Sequence, residues 1–95
     1  MAKDRKEFSC GEKGRYRVKI RGELGSRNYT ATIEDTRTQI GWLFKRPVRR
    51  VHNLSKLLEG NPTHFEEPLI TEDEKLILII HYETGHNNKL PLDLP

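Results

Sequence analysis

Ninety-five residues with 34% hydrophobic and 33% charged side chains have the length of one lean domain, because a chain this short buries only about 60–65% of the surface its unfolded form exposes. Seventeen Lys/Arg against fourteen Asp/Glu leave +3, too little self-repulsion to hold the chain open. No apolar run approaches the ~20 residues that cross a bilayer as a helix, MAKDRKEFSC lacks a signal-peptide hydrophobic region, and the single Cys10 excludes a disulfide framework, so a reducing, cytoplasmic address is expected.

Residues 1–14 are polar, with Phe8 the one sizeable apolar group, and read as a flexible N-terminal arm. The folded domain is expected over 15–85. Tyr16, Val18, Ile20 and Leu24 alternate with Arg17, Lys19, Arg21 and Glu23, the period of a half-buried antiparallel strand, with Gly22 interrupting the inward row. Leu24-Gly25-Ser26-Arg27 supplies turn chemistry, and Tyr29, Ala31 and Ile33 then alternate with Thr30, Thr32 and Glu34 to complete a β-hairpin.

Asp35-Thr36-Arg37-Thr38 breaks that pattern, and QIGWLFK reads as a third strand with Ile40, Trp42 and Phe44 on one face. Pro47 suits the first position of a helix. Val48, Val51, Leu54, Leu57 and Leu58, followed by Gly60, predict that the helix is amphipathic and ends there. Asn61–His64 reads as a loop, Thr71–Glu74 as a capping box, KLILIIHYE as a buried strand, and 86–95 as an extended tail. The expected class is α+β: an antiparallel sheet of three to four strands, β-hairpin first, with one amphipathic helix packed on one face.

Charge is uneven along the chain. Residues 1–52 hold 14 Lys/Arg and 6 Asp/Glu, whereas residues 53–95 hold 3 and 8. Folding either mixes these halves or keeps a basic face apart from an acidic one. Lys45, Arg46, Arg49 and Arg50 would crowd a helix N-terminus that is already positive and able to receive phosphate, and Arg17, Lys19 and Arg21 share one side of a strand. The competing expectation is that Glu66, Glu67, Glu72, Asp73 and Glu74 fold back to neutralise these cations.

His52, His64, His81 and His86 lack the close pairing of a zinc site, and no nucleophile elbow or phosphate loop is present. No metal, cofactor or enzymatic activity is expected. Two glycine tetrads, Gly11–Gly14 and Gly22–Gly25, do not join two helices as the RNA-clamping loop of a KH domain does. Pro91-Leu92-Asp93-Leu94-Pro95 is similar to the PxDLS docking peptide of transcriptional corepressor partners, with Pro95 where that motif has Ser.

These residues point to a small non-enzymatic regulatory domain that grips nucleic acid, DNA or RNA, through a basic face. The runner-up is a protein-interaction or homodimerising module anchored on Trp42 or on an open sheet edge, with the LILII segment as one such edge.

Overall fold

Strands and one short 3-10 turn account for the regular structure of the described residues, which are 2–43 and 46–95, with only the backbone at 39 and 40, in a computed structural model of the chain. β1 (Lys3–Cys10), β2 (Tyr16–Glu23), β3 (Tyr29–Ile40) and β4 (Arg46–Asn53) form one antiparallel meander. β5 (Pro62–Ile70), β6 (Lys75–Tyr82) and β7 (Asn87–Asp93) form a second. The expected α+β class is therefore corrected to all-β. The expected hairpin of β2 and β3 and the buried strand β6 are present.

Alternation builds the core. Val18 and Ile20 of β2, Tyr29, Ala31 and Ile33 of β3, and Leu76, Leu78 and Ile80 of β6 are all 2% exposed or less and belong to one cluster. The sheets therefore pack face to face as a two-layer sandwich. Tyr29 and Phe65 meet across the layers with ring centroids 5.3 Å apart, β1 lies against β5, and His52 Nε2 on β4 is 2.9 Å from the Asp93 carbonyl of β7. The Tyr29 hydroxyl donates to Asp4 Oδ2 at 3.0 Å, and burial together with that carboxylate pushes the phenol up to about 12.

The helix predicted from Pro47 does not form. At about 100° per residue, apolar residues spaced by three fall back about 60° at each step, so Val48 and Leu57 would stand on opposite sides of a helix. As β4 the same segment forms an edge strand, where Pro47 removes no needed donor. Leu54 and Leu58 instead close one end of the core from a turn in which the amides of Leu57 and Leu58 donate to the Leu54 carbonyl at 2.9 and 3.0 Å.

Asp35–Thr38 is not a break between strands but a bulge inside β3, where the pairing with β4 shifts between Asp35 and Gln39. Of the expected third strand, Gln39 and Ile40 end β3, Trp42 and Leu43 form a bend, and Phe44 lies outside the described residues. Thr71–Glu74 is a β-turn, its Glu74 at φ 60, and caps no helix.

The ends also differ from expectation. Lys3–Cys10 pairs along its whole length with β2, and Asn87–Asp93 pairs with β6. Cys10 closes β1 at 7% exposure, and burial, reinforced by the Glu67 carboxylate, pushes its thiol up to about 11. β6 lies between β5 and β7, so the LILII segment has no free edge to offer a second copy. Leu92 is 3% exposed and Asp93 is bound by Lys75, so the first three residues of the corepressor-like peptide, Pro91 to Asp93, are built into β7.

Candidate nucleic-acid interface

The order of the strands along the chain converts the sequence's charge asymmetry into a spatial one. All four strands of the first sheet come from the basic half, apart from Asn53 at the end of β4, and all three strands of the second come from the acidic half. Most of the cations thus end in one layer, with Lys75 and Lys89 in the other.

Within that layer, the register decides which cations share the solvent side. The pairs Ser9↔Arg17, Glu7↔Lys19, Arg5↔Arg21 and Lys3↔Glu23 cross β1 and β2. On β3 and β4 the row continues through Thr30↔Asn53, Thr32↔Val51 and Glu34↔Arg49. Because residues two apart face the same way, the outer face carries Lys3, Arg5, Arg17, Lys19, Arg21 and Arg49 against Glu7, Glu23 and Glu34.

Two of those carboxylates are engaged. Arg17 Nε lies 3.3 Å from Glu7 Oε1, and Lys19 Nζ lies 3.2 Å from Glu34 Oε1. Glu34 is only 8% exposed because Arg17 and Arg49 flank it across the strands while Lys19 covers it. Arg5, Arg21 and Arg49 have no ion-pair partner among the described residues. Arg5 and Arg21 sit directly opposite each other, an arrangement that costs up to about 1 kcal/mol in an isolated sheet. A shallow hollow of about 120 Å³ between β2, β3 and β4 is lined by Lys19, Arg21, Thr30, Thr32, Glu34 and Arg49. Cations beside hydroxyl donors are the groups that meet phosphate oxygens.

The sequence-selected residues therefore divide. Arg17, Lys19, Arg21 and Arg49 share the face. Arg50, next along β4, turns to the other side, where its Nη1 lies 3.7 Å from Asp93 Oδ2. Arg46 is exposed further out on β4, Lys45 lies outside the described residues, and no helix terminus gathers these cations because 46–53 is a strand. Trp42 stands 85% exposed. Arg5 and Lys3 join the face only through the pairing of β1 with β2, since the sequence of β1 resembles a polar arm and shows no more than a trace of strand period in Phe8 and Cys10, two apart.

None of Glu66, Glu67, Glu72, Asp73 or Glu74 makes an ion pair with the described members of the basic set. Glu66 Oε1 instead lies 3.0 Å from His81 Nε2, and Asp73 accepts from the Thr71 hydroxyl. The His81 ring also stacks on His64 at 4.2 Å. No group of three or more metal-ligating side chains occurs among the described residues.

One rigid device frames the end of the face nearest β4's start. Arg15 donates to both carboxylate oxygens of Asp35, at 3.1 and 2.9 Å. That fork, strengthened by the Arg37 amide, holds the Asp35 carboxyl down at about 2. The pair stays ionised at any pH where a polyanion would be met, and fixes β3 where it leaves β2.

Comparison with family models, with curated proteins and with solved structures yields no match to this chain.

Proposed function

We propose that the protein binds nucleic-acid backbone, without catalysing a reaction, through the outer face of its four-stranded sheet. The observation that carries the reading is the surplus of cations on that face, with Arg5, Arg21 and Arg49 unpaired among the described residues. The hydroxyls of Thr30 and Thr32 add neutral phosphate donors. Arg5, Arg21 and Arg49 are the residues that neutralise phosphates, while Arg17 and Lys19 stay paired with Glu7 and Glu34 beside them.

The same face has no aromatic side chain in its rows. It offers no platform for stacking unpaired bases, so it suits the backbone of a duplex, with little reading of sequence.

A salt titration tests this. Three cations neutralising three phosphates give a slope of about −3 in log K against log salt on duplex DNA, at about −0.9 per phosphate. The expected result is binding of an arbitrary 20-base-pair duplex that weakens along that slope. No binding even at low salt, or binding that ignores salt, contradicts the proposal.

A further inference from the structure

β2 accompanies β3 only as far as the pair Tyr16↔Asp35. Beyond it, after the bulge, β3 and β4 continue alone as a two-stranded ribbon through Gln39↔Pro47 and Ile40↔Arg46. Gly41 turns at its end with φ 92, a conformation that L side chains adopt at a cost. Trp42 and Leu43 follow, 85% and 71% exposed, the two most exposed large apolar side chains described.

In sequence, charge of one sign flanks this tip. Residues 36–58 contain six Lys/Arg and not one Asp or Glu. Two large apolar side chains held out in water, on a ribbon whose flanks are cationic, match the parts of a nucleic-acid wedge: the cations hold phosphates while the apolar end parts a base step.

We infer that the Trp42–Leu43 tip inserts between base pairs of a duplex held on the outer face, an inference that rests on the backbone-binding reading above. Length favours a duplex over an anionic bilayer. From Arg46 to Asn53 β4 rises about 23 Å at ~3.3 Å per residue, so the Arg5–Arg21 row stands more than 20 Å behind the tip. A duplex lying along the face reaches both within one helical turn of about 34 Å. A membrane surface met tip-first leaves that row more than two Debye lengths away, at about 8 Å each in physiological salt, and leaves its repulsion unrelieved.

Trp42 is the only tryptophan in the chain, so the intact protein reports on the tip by its own fluorescence. The probes are a 20-base-pair duplex, the same duplex with a one-nucleotide gap, and vesicles of phosphatidylserine and phosphatidylcholine. The expected result is quenching by both duplexes and tighter binding to the gapped one, whose step is already unstacked. Trp42→Ala is expected to bind the gapped duplex about tenfold more weakly, lose the preference and keep the wild-type salt slope. Trp42→Phe is expected to retain most of the affinity.

If the wild type binds duplex with unchanged emission and Trp42→Ala binds equally well, the wedge is refuted while the backbone reading stands. If neither duplex is bound at low salt, both are refuted. Blue-shifted emission with vesicles and none of the quenching with duplex overturns the wedge in favour of a bilayer anchor.

Discussion

Replacing Arg5, Arg21 and Arg49 together by alanine is expected to weaken duplex binding roughly 500-fold at 0.1 M salt. The figure follows from counterion release. Three lost phosphate contacts at about 0.9 each flatten the log–log slope by about 2.7, and lines that converge near 1 M salt then differ by that many decades at 0.1 M. The triple variant is expected to fold at least as well as the wild type, because removing Arg5 and Arg21 relieves a like-charge pair directly opposed across β1 and β2. Arg50→Ala is the internal control. Its guanidinium faces the other way and is met by Asp93, so its affinity and slope are expected to stay near the wild-type values. An Arg50 variant as damaged as the triple variant contradicts the assignment of faces.

The second large effect concerns stability, at a residue with no side chain. Gly22 faces inward opposite Tyr29, and the Tyr29 ring lies in the space a side chain would take. A Cβ at position 22 would stand 2.4 Å from the ring's Cδ1 and 2.5 Å from the Asn28 carbonyl oxygen. The ring cannot simply swing aside, because Phe65 packs on it and its hydroxyl is tied to Asp4. The carbonyl is backbone in the tight turn that joins β2 to β3. Gly22→Ala is therefore expected to cost about 3 kcal/mol, the upper end of ordinary overpacking, against a total stability of only about 5–15 kcal/mol. Urea denaturation followed by circular dichroism reads it. An unchanged midpoint means the ring does not occupy that site.

The same glycine illustrates what the sequence disclosed. Alternation around it was strong enough to identify β2, the turn and the first part of β3, and the apolar run of β6 was unmistakable. Gly22 registered as a gap in the inward row, but the reason for the gap, an aromatic ring arriving from the next strand, is a tertiary contact that no local pattern reports. β5 was hidden for a related reason. Its buried residues Pro62, Phe65 and Pro68 fall three apart because two register shifts against β6 reset the strand's phase.

β4 misled in the opposite direction. Apolar residues at spacings of three imitate a helix, and an edge strand with one face to water needs so few of them that Val48 and Val51 can face opposite ways. At the ends, β1 reads as an arm because the charges Asp4 and Lys6 take inward positions at a sheet edge, where they still reach solvent or a partner. β7 carries a legible row in Leu90 and Leu92, continued past its end by Leu94 and masked by Pro91, which an edge strand accepts.

For the candidate face, the common side of Arg17, Lys19 and Arg21 is legible because period two alone fixes it. Arg49 shares that face through its place on a strand, not at a helix terminus, and Arg50 parts from it because a helix places neighbours on nearly one face, whereas a strand separates them. Arg5 needed the pairing of β1 with β2, which only the fold supplies.

The claim on which the rest depends is that the outer face of the four-stranded sheet is the surface that meets the polyanion. Amide chemical shifts of the ¹⁵N-labelled protein, recorded while a short duplex is added at low salt, test it residue by residue. The account predicts that the amides of Arg5, Arg21, Thr32 and Arg49 and of the ribbon bearing Trp42 shift together and saturate at one ratio, while those of β5, β6 and β7 stay in place. Shifts confined to the three-stranded sheet, or a spectrum that the duplex leaves unchanged, would contradict it.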